Sequence, residues 1–266
     1  MARLAVAPGV ALDYDDVGTG GPPFVFIHGL ACERSAWAPQ VADLSRDHRC
    51  VSVDLRGRGA SDAVPPYGIF QQAEDVASLM RALALGPSIL VGHSLGGFTA
   101  LEVNQRYPEL VLGVVAGDSP LGRKGLGGAE LRAAIEAADS TEPLAGLIDR
   151  FWGEASTPEV QEAVRAMMLG CPPEVAGGMM ADDPGPEGMR ELVRAADRKP
   201  FMAIWADGAL IPQAWLYDAC MFLRHEKVAG AGHFFQLERP EVTNALLRAF
   251  LDDVERDPRL EKLGLR

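Results

Sequence analysis

The sequence predicts an α/β fold, in which a mostly parallel, eight-stranded sheet is flanked by helices and carries an inserted helical lid. Short apolar runs alternate with amphipathic stretches long enough to be helices, which is typical of a parallel sheet covered on both faces. With 48% apolar and 23% charged residues among 266, the chain can bury one large core. The alternation stops over residues 119–198, which indicates an insertion.

Eight strands are expected along the chain. Residues 1–18, interrupted by Pro8 and Gly9, predict a hairpin of two short strands. Four apolar, β-branched runs then predict strands buried on both faces, at residues 23–28, 50–55, 88–93 and 111–118. The strand pattern resumes at residues 200–207 and 223–228. Amphipathic stretches predict helices at residues 35–44, 70–85, 96–107 and 240–254.

The segment 119–198 is predicted to be a helical lid, inserted into a core formed by residues 1–118 and 199–266. It is far longer than the usual connection of about 2–6 residues between a strand and a helix. Thr157 followed by Pro158 predicts the start of one lid helix. Another helical face is predicted by apolar residues at helical spacing, which are Leu144, Leu147, Ile148, Phe151 and Trp152.

Composition limits the partners of the chain. The net charge of −12 repels phosphate backbones and anionic lipid surfaces, and the sequence has no Lys/Arg cluster of the kind that nucleic-acid binders use. The N-terminus lacks the continuous apolar region of a signal peptide. We therefore expect a cytoplasmic protein that binds a small-molecule substrate, with no nucleic acid or membrane as partner. The sequence leaves the oligomeric state open, a homodimer included.

The four cysteines are Cys32, Cys50, Cys171 and Cys220, and they show no C-x-x-C spacing. Such scattered cysteines predict neither a disulfide framework nor a zinc site. Free thiols are typical of proteins in a reducing compartment. No metal and no organic cofactor are expected.

Ser94 is the candidate nucleophile, in the stretch "ILVGHSLGGF". Gly92 to Gly96 match G-x-S-x-G, a pattern that by itself is moderate evidence in a chain with 29 glycines. Its context decides, because here a buried strand ends and a helix begins. A serine at such a bend sits in a strained backbone conformation that only flanking glycines accommodate, with its hydroxyl at the carboxyl edge of the sheet.

A serine hydroxyl becomes nucleophilic when a base removes its proton, and His233 is the candidate base. It lies in a glycine-containing loop directly after the last strand and before the last helix, which brings its side chain over the sheet edge. Of the other four histidines, His28 and His93 belong to motifs, whereas His48 and His225 lie beside arginines and are predicted at the surface.

Two backbone N–H groups are candidates for an oxyanion hole. The N–H of Leu95 lies at the start of the helix that follows the nucleophile. The N–H of Leu30 follows the end of an inner strand, where Gly29 allows the backbone to turn inward. Only the backbone groups matter for this role, so the two side chains are free to line a pocket.

These motifs together resemble the α/β-hydrolase family, and the resemblance covers nearly the whole chain. It rests on "HGL" at residues 28–30, "DLRGRGASD" at 54–62, "GHSLGG" at 92–97 and "GAGHFFQLERPEVTNALLRAFL" at 230–251. The resemblance implies that the segment beginning at Asp54 braces a loop and carries no chemistry. Dehalogenases and epoxide hydrolases of this fold use an aspartate as nucleophile, so Ser94 excludes that branch.

The sequence departs from the common family pattern at the acid of the triad. Family members usually place an aspartate in a segment like "WGxxDxxVP", whereas this chain reads "WADGALIP" and has Gly208 or Ala209 where the acid is expected. Asp207 is one candidate. The favoured candidate is Asp118, at the end of the strand after the nucleophile helix. Zearalenone-type lactone hydrolases resemble the chain in that acid position, in length and in a small-residue turn after the penultimate strand.

The resemblance implies a serine hydrolase that cleaves an ester or lactone bond of a small, largely apolar molecule through an acyl-enzyme. Ser94 would attack, His233 would act as base and Asp118 would orient it. Trp152 is predicted to contact substrate, although apolar residues at helical spacing are more often packing residues. The rivals are a cofactor-free dioxygenase, like the 2,4-dioxygenases of oxoquinolines, a C–C bond hydrolase, and a ligand receptor on the same fold.

Overall fold

One eight-stranded sheet organises the computed structural model, which describes residues 2–121, 128–207 and 214–265. The order of the strands across the sheet is β1-β2-β4-β3-β5-β6-β7-β8. In chain order they are β1 (Ala2–Ala7), β2 (Val10–Val17), β3 (Phe24–Ile27), β4 (Cys50–Val53), β5 (Ser88–His93), β6 (Val111–Gly117), β7 (Phe201–Ala206) and β8 (Arg224–Val228).

The sheet is mostly parallel, as predicted. β1 pairs with β2, and β2 with β4, in antiparallel fashion. The remaining five pairs, from β4 across to β8, are parallel. Because β5, β6 and β7 are neighbours, their carboxyl ends meet at one edge of the sheet. This edge brings together the residues that follow these three strands, including Ser94, Asp118 and Asp207.

Helices cover both faces of the sheet, and the alternation along β5 explains how. Leu90 packs into one apolar cluster, whereas Ile89 and Val91 pack into the other, because successive side chains of a strand point to opposite faces. The helices are α1 (Ala38–Leu44), α2 (Ile69–Ala82), α3 (Leu95–Arg106), α4 (Gly128–Ala138), α5 (Ala145–Ile148), α6 (Pro158–Leu169), α7 (Pro173–Met179), α8 (Gly185–Ala196), α9 (Ala214–Ala219), α10 (Phe235–Glu238), α11 (Pro240–Arg256) and α12 (Pro258–Lys262).

The segment between β6 and β7 contains α4 to α8. Thr157 caps α6 as predicted, because its hydroxyl accepts a hydrogen bond from the Val160 N–H. The predicted helix through Leu144 and Trp152 is wrong for its last residues, because Phe151 and Trp152 lie outside α5. α5 ends at Ile148, because the Phe151 carbonyl accepts a hydrogen bond from the backbone N–H of His233 instead of continuing the helix.

Two predicted glycine-containing loops lie outside the described residues. They are the start of the insertion at residues 122–127 and the shortened turn after Asp207 at residues 208–213. The division into a core and a lid of residues 119–198 stays a prediction.

Within the described ranges, no helix has the length and apolar character needed to cross a membrane. The four cysteines are free and buried.

Candidate active site

Ser94 lies at a sharp turn between a strand and a helix, where the sequence predicts it. β5 ends at His93, α3 begins at Leu95, and Ser94 between them has a φ of 52° and a ψ of −118°. Residues other than glycine rarely adopt a positive φ, and such strain is concentrated at functional sites. A Cβ at Gly92 would clash with the Gly96 carbonyl across the turn, and a Cβ at Gly96 would clash with the backbone carbonyls of Ile27 and His28 at the end of β3. Both glycines are therefore required by the close packing.

The Ser94 side chain borders a cavity of about 400 Å³ between the carboxyl edge of the sheet and the inserted helices. Ser94 is 8% exposed, which leaves it reachable from this space. Trp152, the predicted substrate contact, lines the same cavity. The walls are mainly apolar, with contributions from Ile69, Phe98, Leu131, Leu147, Met168 and Met189. A small molecule with a substantial apolar part fits such a cavity.

Asp118 and His233 meet at the wall of this cavity. The Nδ1 atom of His233 lies 2.6 Å from the Oδ2 atom of Asp118, and Asp118 is only 3% exposed. The other carboxylate oxygen accepts a hydrogen bond from the Ala206 N–H at 3.2 Å. Asp118 has a φ of 42°, and its own N–H donates to the Ile204 carbonyl at 2.7 Å. The end of β6 therefore holds the carboxylate in a fixed position against the histidine.

Asp207, the competing acid, is held by other partners. Its side chain is 39% exposed and forms an ion pair with Lys227. It also accepts a hydrogen bond from the Gly230 N–H. The hydrogen bond from Lys227, followed by that from Gly230, lowers the pKa of Asp207. The carboxylate thus braces the loop that leads to His233 and has no hydrogen bond to the imidazole among the described residues.

The loop carrying His233 is fixed by contacts that sequence reasoning missed. Its backbone N–H donates to the Phe151 carbonyl at 2.7 Å, and the Phe151 ring stacks on the imidazole with centroids 4.3 Å apart. The Gly232 N–H donates to the buried carboxylate of Glu238 at 2.6 Å. A Cβ at Gly232 would clash with the Phe151 carbonyl oxygen. No local signal identifies Phe151, since its partner lies 82 positions away in the sequence.

Leu30 and Leu95 both line the cavity. Leu95 is the first residue of α3, where backbone N–H groups have no partner within the helix. The loop after β3 approaches Ser94 closely, because a Cβ at Gly29 would lie 3.2 Å from the Ser94 Cβ. Ala31 has a φ of 56°, because the loop turns sharply at this residue. The two predicted oxyanion donors are thus found on two segments that meet beside the serine.

Three other histidines, His28, His93 and His48, are buried and pack within the fold. The fully buried His28 accepts a hydrogen bond from the Leu55 N–H at its Nε2 atom, and burial lowers its pKa to about 4. His93 is also buried, and its Nε2 atom lies 2.8 Å from the His233 carbonyl oxygen. Burial lowers the pKa of His93 well below its ordinary value. The prediction of a surface position for His48 is wrong, because the ring packs edge-on against Phe24 and is 6% exposed.

The segment beginning at Asp54 forms a network of buried ion pairs. Asp54 pairs with Arg34. Arg56 makes two hydrogen bonds of 2.7 Å with Asp75. Arg58, which the sequence analysis left without a role, donates to the carbonyl oxygens of Cys32 at 2.9 Å and Met167 at 3.0 Å. It therefore links the loop after β3 to α6, which agrees with a bracing role for this segment.

No group of His, Cys, Asp and Glu side chains that could hold a metal ion is found in residues 2–121, 128–207 and 214–265. Among the polar groups that line the cavity are the hydroxyl of Ser94, the imidazole of His233 and the carboxylate of Asp118. Acyl transfer needs these three groups: a nucleophile, a base and an acid that orients the base.

Comparison with known proteins identifies the class. A profile of the alpha/beta hydrolase family matches residues 24–246. The chain belongs to this family of hydrolases. The match runs from β3 to α11 and thus includes the serine turn, the end of β6 and the histidine loop.

Several relatives cover almost the whole chain. The 2-(acetamidomethylene)succinate hydrolase of Mesorhizobium japonicum is 28% identical over 261 residues, which cover 91% of this chain and 92% of that protein. A thermophilic esterase from Thermogutta terrifontis superposes with a TM-score of 0.82 and 25% identity, covering 96% and 99% of the two chains. The enol-lactonase from Burkholderia xenovorans LB400 has a TM-score of 0.80 and 25% identity, covering 94% of this chain and 100% of the other.

Proposed function

We propose that the chain is a serine hydrolase that cleaves an ester or lactone bond of a small, largely apolar molecule through an acyl-enzyme. The observation that carries the proposal is the 2.6 Å contact between His233 and Asp118 on the wall of the cavity that Ser94 also lines. The similarity to an esterase and an enol-lactonase over almost the whole chain supports these two bond types.

Each side chain has a role in the proposed reaction. The Nδ1–H group of His233 donates a hydrogen bond to Asp118, and this tautomer leaves Nε2 unprotonated and able to accept the hydroxyl proton of Ser94. Ser94 then attacks the carbonyl carbon, and the imidazolium returns the proton to the leaving alcohol. Asp118 keeps the imidazole in the required tautomer and stabilises its charged form. Water repeats the sequence on the acyl-enzyme, with His233 again as the base.

The oxyanion formed at each attack would be bound by the N–H groups of Leu30 and Leu95. One such donor contributes about 10²- to 10³-fold to kcat in other acyl-transfer enzymes. The left-handed conformation of Ala31 and the close approach of Gly29 to Ser94 favour this arrangement. Both donors are backbone groups, so substitution of either leucine side chain changes the pocket and leaves the donors in place.

Three further assignments belong to this proposal. Residues 119–198 act as a lid over the cavity, and Trp152 contacts the substrate, which its place on the wall supports. The protein works in the cytoplasm, where its four free, buried cysteines suit a reducing environment.

Replacement of Ser94 tests the proposal directly. Ser94→Ala should lower kcat for a 4-nitrophenyl ester by about 10⁶-fold, since binding and the oxyanion hole alone leave a small residual rate. An organophosphonate should label the wild-type protein stoichiometrically at Ser94, as read by peptide mass spectrometry. Ser35→Ala, which removes an exposed hydroxyl, is the matched control and should retain both the activity and the label.

The rival functions give different results in the same variant. Oxygen uptake that survives Ser94→Ala would indicate a cofactor-free dioxygenase. Ligand binding without a burst of product from any activated ester would indicate a receptor. Undiminished ester cleavage by Ser94→Ala would contradict the proposed function altogether.

A further inference from the structure

The cavity beside Ser94 is bordered by two arginines, and they differ in what they contact. Arg132 forms an ion pair with Glu136, one turn further along α4. Arg150 follows α5, lines the cavity and is exposed to solvent, and its guanidinium has no hydrogen bond or ion pair with any described residue. The adjacent carboxylate does not serve it, because Asp149 pairs with Arg165 instead. Arg150 thus brings to the cavity a positive charge that the described residues leave unmatched.

The carboxylates on the cavity walls are committed to other groups. Each of the four has a hydrogen-bond or ion-pair partner among the described residues, and that partner is not Arg150. Asp118 contacts His233, Asp182 accepts a hydrogen bond from the Phe70 N–H, Asp183 accepts one from the Gly185 N–H, and Asp207 pairs with Lys227. The cavity therefore has a positive position at Arg150, whereas Asp182 and Asp183 repel anions from their part of the wall.

The backbone holds Arg150 beside the proposed base. The Arg150 N–H donates to the Leu147 carbonyl at 3.1 Å, and the Phe151 N–H donates to the Ile148 carbonyl at 3.0 Å. The next residue, Phe151, stacks on the ring of His233 and accepts the hydrogen bond from its backbone N–H. The backbone at Arg150 is therefore fixed one position before the residue that holds the base, and Arg150 borders the same cavity as His233.

We infer that Arg150 binds a carboxylate of the substrate, separate from the ester or lactone carbonyl that reacts. This inference rests on the proposed hydrolase function and narrows its substrate class to half-esters of small dicarboxylic acids, or lactones that carry a free carboxylate. The planar guanidinium can donate two parallel hydrogen bonds to a carboxylate. Attraction at Arg150 and repulsion at Asp182 and Asp183 then orient the molecule with its apolar chain along the cavity.

Paired esters test this assignment. The charged substrates are the mono-4-nitrophenyl esters of glutarate and adipate. Their neutral counterparts are the 4-nitrophenyl esters of 5-methylhexanoate and 6-methylheptanoate, in which an isopropyl group replaces the carboxylate. The measured quantity is the ratio of kcat/KM for the charged ester to that for its neutral counterpart. Arg150→Gln should lower this ratio about 10- to 100-fold, the range expected for a lost charge-assisted hydrogen bond, and Arg150→Lys should restore part of it.

Arg256→Gln is the control, because Arg256 is 80% exposed and pairs with Asp252 on α11, outside the cavity lining. The ratio in this variant should match that of the wild type. An unchanged ratio in Arg150→Gln for both chain lengths would overturn the assignment. An equal fall in Arg256→Gln would also overturn it, since the effect would then come from overall surface charge.

Binding separates this inference from the proposed hydrolysis. Calorimetry with adipate and glutarate on the Ser94→Ala variant needs no turnover. At least one diacid should bind, and the additional Arg150→Gln change should weaken its binding at least tenfold. If a diacid binds in this way and the wild type cleaves no ester, the carboxylate site is supported and the proposed hydrolase function is contradicted. Ester cleavage by the wild type with no diacid bound, or with binding insensitive to Arg150→Gln, would retain the hydrolase and reject the carboxylate site.

Discussion

The ends of the neighbouring strands β6 and β7 carry one aspartate each, and the two side chains have different surroundings. Asp118, after β6, is buried, has a positive φ and contacts His233. Asp207, after β7, is partly exposed and is held by Lys227 and the Gly230 N–H. A carboxylate stabilises an imidazolium most where water is excluded and its position is fixed. The comparison therefore favours Asp118 as the acid and gives Asp207 a bracing role.

The largest expected effect in this comparison comes from Asp118→Asn. The amide can hold the imidazole in the wrong tautomer and cannot stabilise its positive charge, so kcat should fall by about 10⁴-fold. Steady-state kinetics with a 4-nitrophenyl ester measure the loss, and thermal unfolding checks that the variant is folded. A folded Asp118→Asn variant with kcat within tenfold of the wild type would show that Asp118 is not the acid that supports His233.

A smaller effect is expected from Gly232→Ala, which disturbs the loop shared by both regions. The new Cβ would clash with the Phe151 carbonyl and displace His233 from Asp118. A displacement of about 1 Å can lower a rate by about 10²-fold, and we expect a loss of this size in kcat/KM. Gly146→Ala is the control, since a Cβ there meets no other atom within 4 Å. Equal losses in both variants would show that the contact with Phe151 does not position the base.

The smallest effect is expected from Asp207→Asn, which should lower kcat less than about tenfold.

The lowered pKa of Asp207 also determines the pH range in which its negative charge contributes to the stability of the fold. A group whose pKa is lower in the folded state stabilises the fold above its unfolded pKa, and this contribution is lost as the pH falls through the folded value. For an aspartate this window lies below about pH 4. The pH–rate profile of Asp207→Asn from pH 5 to 9 should therefore keep the shape of the wild-type profile.

Local patterns in the sequence predict most of the fold. β5 ends at His93 and β6 ends at Gly117. Both ends are predicted by apolar runs that stop at polar or small residues. The turn at Ser94 is also predictable, because only glycines at both flanking positions permit it. These features depend on neighbours within a few residues, which is the range that periodicity and turn chemistry report.

Contacts between distant segments explain what the sequence did not predict. The helical pattern through Phe151 and Trp152 is broken because a backbone hydrogen bond to His233 replaces one within the helix. His48 is buried against Phe24 although it lies beside an arginine. The partners of Arg58 are separated from it by up to 109 positions. None of these pairings leaves a local signature, because each depends on how the finished fold packs.

The rate at which an organophosphonate labels Ser94 tests the central claim most directly. This reaction measures activation of the serine by His233 and its acid, and it requires no knowledge of the natural substrate. Wild type, Asp118→Asn and Asp207→Asn are compared under identical conditions by mass spectrometry. The account predicts that labelling slows by about 10³- to 10⁴-fold in Asp118→Asn and by less than tenfold in Asp207→Asn. Rapid labelling of Asp118→Asn together with slow labelling of Asp207→Asn would contradict it and assign the acid to the end of β7.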